Sequence, residues 1–270
     1  MATLDEMHAQ LTNWFKEAES AVVAYSGGTD SALLLKVGHD ALGARCVGVI
    51  AASPSLPRAE LEDALAVARE IGAAHAVIES REVDDPRYQE NDTTRCYFCK
   101  GDLFDRLDQY ATQNGFAVVA DGTNADDLGD FRPGREAARE RGVRSPLVEA
   151  AFTKDDIREL SRRLGLPTWD KPAAACLASR IPHGTRVSAD LLARIERAEV
   201  VIRRTGIRQL RVRHHDQIAR IEVGSSDIET LIEHRDTIAR ELRALGYTFV
   251  TVDLEGFRSG SLNRLVGIDG

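Results

Sequence analysis

Short apolar runs alternate with longer amphipathic stretches along the first two-thirds of the chain. Residues 1–18 read as an amphipathic helix. The run 20–25 (SAVVAY) predicts a buried strand ending at the pair Gly27-Gly28, and from Asp30 the pattern Ser-Ala-Leu-Leu-Leu-Lys-Val predicts a helix closed near Gly43. The alternation then repeats as strand 45–51, helix 57–71, strand 74–78, helix 97–114, strand 116–120 and helix 153–164. Strands alternating with helices need right-handed crossovers between parallel neighbours, so the fold class is α/β with a parallel, doubly wound sheet.

Pro167, Pro172 and Pro182 punctuate residues 165–184 and predict an ordered but irregular junction. Beyond it, 188–205 reads as a helix, 209–213 and 218–223 as paired strands, 227–245 as a helix and 247–254 as a strand, which predicts a smaller α+β domain. The expected organisation is a nucleotide domain over 1–170, a cysteine-containing active-site loop over 171–185 and a substrate domain over 186–270. No internal repeat or low-complexity tract interrupts it.

Composition narrows the function classes. A chain of 270 residues, 43% hydrophobic and 29% charged, suits a globular protein with two cores. No apolar run approaches the ~18–20 residues that span a bilayer, and the amino terminus has no basic start followed by an apolar stretch. A cytoplasmic location without a membrane partner is expected. The net charge of −8 argues against sequence-blind nucleic-acid binding, which rests on neutralising phosphates. The stretch from Arg186 to Arg220 is nonetheless locally basic, either as a solvated surface or as a dock for a small anionic substrate.

A strand ending in Ser26-Gly27-Gly28-Thr29-Asp30-Ser31 and running into a helix suits pyrophosphate. Glycines let the backbone approach the anion, and a helix N-terminus presents unpaired N–H groups. The plain alternative is a Gly-Gly turn capped by Asp30 or Ser31. The hexapeptide resembles the PP-loop of ATP pyrophosphatases, also termed adenine nucleotide alpha hydrolase-like, and no Walker lysine follows it. That resemblance implies ATP cleaved between the α and β phosphates, with Mg²⁺ balancing their charge. It also carries Gly122, Thr123 and Asn124, at the end of the strand closing at Ala120, over as neighbours of the nucleotide. Arg132 is a candidate phosphate contact.

The four cysteines are Cys46, Cys96, Cys99 and Cys176. Cys96-Tyr97-Phe98-Cys99 fits a redox pair, half a zinc site or packing residues, and with Cys176 it supplies three thiolates for a four-iron cluster. Cys46, inside an apolar strand, reads as a core thiol.

Taken with Arg95–Lys100 (RCYFCK), Asp121–Asp127 (DGTNADD), Lys171–Pro182 (KPAAACLASRIP) and the terminal stretch 256–263 (GFRSGSLN), the PP-loop makes the chain resemble the LarE family over nearly its whole length. These are ATP-dependent sulfur transferases of nickel-pincer nucleotide synthesis for lactate racemase. The resemblance implies adenylation of a carboxylate on a pyridinium-3,5-dicarboxylate mononucleotide, then its conversion to a thiocarboxylate. In one version Cys176 surrenders its own sulfur and becomes dehydroalanine. In the other a [4Fe-4S] cluster held by Cys96, Cys99 and Cys176 carries an extra sulfide, and the presence of all three cysteines favours that version. The family also implies a homo-oligomer, a hexamer.

Ser179 and Arg180 follow Cys176 closely enough to hold the adenylate or substrate phosphate. Arg211 and Arg213, two apart on one strand face, suit a phosphate and carboxylate clamp. Lys171, Arg180 and His183 are sources of positive potential for the Cys176 thiolate, and Glu199 reads as an exposed structural residue rather than a metal ligand. The rival readings are an ammonia-using synthetase, a tRNA thiolase and a nucleotide sensor without chemistry.

Overall fold

The computed structural model describes residues 2–129, 133–172 and 174–258. The chain divides into two compact units, Met1–Glu82 with Cys96–Ala174 and Val83–Arg95 with Ala175–Gly270. The division between Ala174 and Ala175 lies within the proline-punctuated junction, whereas the excursion Val83–Arg95 carries no compositional signal. No helix among the described residues is long and apolar enough to cross a membrane.

The first unit opens with α1 (Leu4–Ala18), closed by a capping box in which Thr3 Oγ1 accepts from Glu6 N and the Glu6 carboxylate accepts from Thr3 N. Then follow β1 (Ala21–Ala24), α2 (Thr29–Leu42), β2 (Cys46–Ala52), α3 (Arg58–Ile71) and β3 (Ala74–Glu79). The chain passes into the second unit with the one-turn helix α4 (Pro86–Gln89) and resumes in α5 (Arg95–Asn114). The rest of the unit is β4 (Val118–Ala120), α6 (Pro133–Glu140), the one-turn α7 (Pro146–Glu149) and α8 (Lys154–Arg163).

Its four strands are parallel in the order β3-β2-β1-β4. Alternation sorts the side chains to two cores. Ala21, Val23, Cys46 and Ile50 join Leu11, Phe15, Leu33 and Leu34 of α1 and α2, while Val22, Val47, Val49 and Val119 join Phe104, Leu107 and Ala111 of α5. Helices on both faces make the sheet doubly wound, as the strand–helix alternation predicts. Helix α6 has no clear sequence signature beyond Pro133 at its first position, because its eight residues hold few apolar positions.

The second unit carries α9 (Ala189–Arg203), the antiparallel hairpin β5 (Leu210–His215) and β6 (Ile218–Val223), then α10 (Ile228–Glu233), α11 (Arg235–Ala244) and β7 (Phe249–Val252), which pairs parallel to β6. Leu210, Val212, Ala219, Ile221 and Val223 share a core with Ile202 of α9 and Ile238 and Leu242 of α11. The single helix expected over 227–245 breaks at His234. No Gly or Pro marks that break, so periodicity alone could not show it.

Candidate active site

β1 stops at Ala24 and α2 starts at Thr29, leaving 25–28 to turn between them. Gly27 sits at φ +70°, and a Cβ on it would lie 2.5 Å from Ala64 Cβ of α3, so both conformation and space demand glycine. Gly28 is the N-cap of α2 and gives no side-chain cap, which leaves the N–H groups of the first turn facing outward without one. The hydroxyls of Ser26 and Ser31 lie 3.1 Å apart, and Ser31 Oγ accepts from Ser26 N at 3.2 Å, so the two ends of the loop are tied together. Thr29 Oγ1 donates to the Thr168 carbonyl at 2.8 Å.

The loop after β4 packs against this turn. A Cβ on Gly122 would come within 3.1 Å of Ser31 N, so the missing side chain keeps the helix N-terminus open. Thr123 Oγ1 donates to Asp121 Oδ2 at 2.7 Å, and Asp121 Oδ1 accepts from Ser145 Oγ at 2.7 Å. Asn124 is buried, and its Oδ1 caps the following 3-10 turn by accepting from Asp126 N at 3.0 Å and Asp127 N at 3.3 Å.

Ser26, Gly28, Asp30, Ser31, Asp121, Gly122, Thr123 and Asp127 line one cavity of about 600 Å³, whose apolar wall is Tyr25, Val49, Ile50, Leu56, Leu103 and Phe104. Cys96 and Lys100 of α5 and Arg135 of α6 also line it. Arg132 lies outside the described residues, as do 259–263 of the terminal stretch. Mg²⁺ takes one or two carboxylates and completes its shell with phosphates and water. Asp30, Asp121 and Asp127 offer that donor chemistry on the cavity wall.

Two lysines flank the loop. Lys154 Nζ lies 2.5 Å from Asp30 Oδ1. Lys171 Nζ, read from sequence as a partner for the Cys176 thiolate, is 2.9 Å from Glu60 Oε2 and 3.4 Å from the Gly27 carbonyl. No local motif links Lys154 to a loop 124 residues earlier, so the sequence alone does not point to it.

Cys46 is the buried core thiol expected, and burial pushes its pKa up to about 12. Cys96 is exposed and Cys99 half-buried in the first turn of α5, in the first unit; Cys176 is exposed in the second. Among the described residues no group of three or more His, Cys, Asp or Glu side chains is placed to hold a metal ion.

Cys176 precedes the 3-10 turn Leu177–Arg180, and its carbonyl accepts from Ser179 N at 3.0 Å, Ser179 Oγ at 2.7 Å and Arg180 Nη1 at 2.8 Å. Arg180 is buried, and its Nη1 also donates to the Ala175 carbonyl at 2.6 Å. Its remaining guanidinium edge grips Glu199, which corrects the expectation of an exposed Glu199. That side chain is only 3% accessible: its Oε1 accepts from Arg180 Nε at 2.9 Å and from Val212 N at 3.1 Å, and its Oε2 from Arg180 Nη2 at 3.2 Å.

Arg211 and Arg213 sit on the sheet face opposite the apolar core. Arg213 is buried, donating from Nε and Nη2 to Glu222 Oε2 at 2.9 and 2.8 Å and from Nη1 to the Ser179 carbonyl at 2.8 Å. Arg211 has no carboxylate partner at ion-pair distance among the described residues. Its guanidinium stands 5.0 Å from the Phe257 ring centre. Burial first, then repulsion from Arg180, Arg213 and Arg203, lowers its pKa to about 10 against the pull of Glu199. His183, the remaining expected neighbour of Cys176, has a buried Nδ1 without a hydrogen-bond partner.

A family model described as NAD synthase matches residues 4–124, which run from α1 through the loop after β4. An uncharacterised protein of Synechocystis is 44% identical over 97% of this chain and 99% of its own length. An uncharacterised protein of Methanocaldococcus jannaschii is 29% identical over 93% of this chain and 96% of its own. The pyridinium-3,5-bisthiocarboxylic acid mononucleotide synthase of Lactiplantibacillus plantarum is 39% identical over 97% of this chain and 96% of its own. With a PP-loop at the N-terminus of α2 and that near-complete alignment, the chain belongs to the LarE family of ATP-dependent sulfur transferases, built on a PP-loop ATP pyrophosphatase domain.

Proposed function

We propose that the chain adenylates a carboxylate of a pyridinium-3,5-dicarboxylate mononucleotide with ATP and then delivers sulfur to it through Cys176, forming a thiocarboxylate for a nickel-pincer nucleotide. The observation carrying this reading is the full-length similarity to a synthase whose name states a bisthiocarboxylic mononucleotide product.

In this reading Ser26, Gly27, Gly28, Asp30 and Ser31 hold the ATP phosphates, Gly122, Thr123 and Asn124 border the nucleotide, and Arg132 adds a phosphate contact. The apolar wall suits a purine. Asp30, Asp121 and Asp127 would hold Mg²⁺ beside the loop, where it would supply positive charge to the pyrophosphate leaving group. The substrate carboxylate attacks the α phosphorus, the bond to the β-phosphate oxygen breaks, and an acyl adenylate forms. The Cys176 thiolate then attacks the acyl carbon and expels AMP, leaving a thioester. Loss of the Cα proton of Cys176 to a solvent base breaks its Cβ–S bond, with the electron pair going to sulfur. Thiocarboxylate and dehydroalanine result. Arg211 offers the cation for the substrate phosphate, while Ser179, Arg180 and Arg213 line the same stretch and hold the turn.

A cluster-borne route needs Cys96, Cys99 and Cys176 as joint ligands. In that route the three thiolates would supply the donor set, and the sulfide they carry, not Cys176 itself, would be the sulfur delivered. Anaerobic purification with iron and sulfide analysis separates the two routes. An iron-free protein that becomes about 34 Da lighter on turnover, by loss of H₂S, supports sacrifice of Cys176. The Cys176→Ala variant should still release pyrophosphate but form no thiocarboxylate, and thiocarboxylate from that variant sinks the reading. A hexamer is part of the proposal, and light scattering measures it directly.

A further inference from the structure

Asn91 is fully buried and sits at φ +56°, a left-handed conformation that asparagine tolerates better than most side chains. Its amide nitrogen donates to the carbonyls of Pro182 at 2.8 Å, Thr185 at 2.9 Å and Ile181 at 3.4 Å. Its backbone carbonyl accepts from Gly184 N at 3.0 Å. Its side-chain oxygen accepts from Arg95 Nη1, and that guanidinium nitrogen also donates to the Ala178 carbonyl at 3.0 Å. Two residues earlier in the chain, the Gln89 carbonyl accepts from Val187 N at 2.9 Å.

These bonds stabilise no helix or sheet. They hold the segment 178–187 from outside it, adding to its own turn bonds from Ile181 N to the Ala178 carbonyl and from Thr185 N to the Pro182 carbonyl, each 3.1 Å. The segment begins with the turn that carries Cys176. Arg180 anchors that turn to α9, and Asn91 anchors the chain leaving it. We propose that Asn91, braced by Arg95, is a positioning residue for sulfur delivery: its amide fixes the segment after Cys176 so that the thiol meets the activated acyl carbon. This rests on the reading of Cys176 as the sulfur-delivering residue. Asn91 touches no reacting atom and acts through the loop alone.

Two variants test it. Asn91→Asp keeps the shape and removes both donors, and Asn91→Gly keeps the left-handed backbone without strain and removes the amide. Should the buried carboxylate of the first prevent folding, the second decides. In each, pyrophosphate release, thiocarboxylate formation, native alkylation of Cys176 by iodoacetamide and hydrogen exchange over 177–187 are measured. We expect wild-type pyrophosphate release, sulfur delivery slowed by about a hundredfold, as a displacement near 1 Å costs in positioned chemistry, and faster exchange and altered alkylation at the turn. Sulfur delivery at the wild-type rate overturns the proposal, and so does a proportional loss of both half-reactions. If Cys176→Ala itself still forms thiocarboxylate, the sulfur reading fails independently. In that event unchanged alkylation and exchange in Asn91→Gly overturn the clamp as well.

Discussion

Arg180 and Glu199 meet edge to edge, Nε to Oε1 at 2.9 Å and Nη2 to Oε2 at 3.2 Å, with 2% and 3% of their side chains accessible. The free Nη1 of the same guanidinium holds the carbonyls of Ala175 and Cys176. A bidentate ion pair thus fixes the backbone on which the exposed thiol stands, and an ammonium could not replace it because one lysine nitrogen cannot reach both sets of acceptors.

Neutralising one partner of this pair should be costly. Glu199→Gln leaves a buried guanidinium without its counter-charge, for which a loss of about 3–5 kcal/mol is expected. Chemical denaturation reads it, and a midpoint equal to that of the unaltered protein would show the pair to be dispensable.

Gly27 and Gly142 provide a controlled comparison. Both have positive φ, +70° and +67°, but a Cβ on Gly142 meets nothing within 4 Å. Gly142→Ala should lose only the conformational strain, about 1 kcal/mol. Gly27→Ala adds a collision with α3 worth about 1–3 kcal/mol more and should abolish pyrophosphate release. Thermal melts of the two variants give the difference.

Lys154 pairs with Asp30 at 2.5 Å, and if the loop holds ATP as proposed, this pairing keeps the carboxylate from repelling the phosphates. The variant Lys154→Met should raise KM for ATP about tenfold, the equivalent of roughly 1.4 kcal/mol. In a double-mutant cycle with Asp30→Asn part of that loss should return, because the uncompensated charge is gone. Strictly additive effects would mean that the pair does not act as a unit.

Thiol labelling near pH 8 should distinguish the cysteines. Cys46, buried and shifted up to about 12, should resist iodoacetamide in the folded protein, while the exposed Cys96 and Cys176 react. Peptide mass mapping checks this, and labelled Cys46 without unfolding would contradict the packing of β2.

Stability should fall in mild acid. Burial, then Arg194 for His214 and Arg220 for His215, lowers both imidazoles from the usual 6.5, and each ring has a buried nitrogen without a partner. The unfolded chain therefore binds more protons in the window between the lowered values and 6.5. Stability rises with pH across that window and is lost as pH drops below about 6.5. Urea midpoints between about pH 7.5 and 5.5 measure the slope, which His214→Phe should flatten.

Much of the first unit is local information. Val22 and Val23 before the Gly pair, and Leu33 to Leu35 after it, place the PP-loop between a strand and a helix because side-chain period is set within a few residues. For the same reason the stretch 122–124 could be placed at a strand end. Neither α6, too short for a visible stripe, nor the break at His234, made without Gly or Pro, has such a signal.

The amino-acid sequence by itself determined the parallel α/β sheet, the PP-loop turn between β1 and α2 and the family, since these depend on periodicity, on glycine and on motifs read in order. Tertiary structure decided which charges meet. It brought Lys154 to Asp30, buried Glu199 under Arg180, and set Asn91 against the carbonyls of 181–185. Those contacts join residues about 19 to 124 positions apart. Ion pairs and buried amides depend on distance and desolvation in three dimensions, to which no period along the chain corresponds.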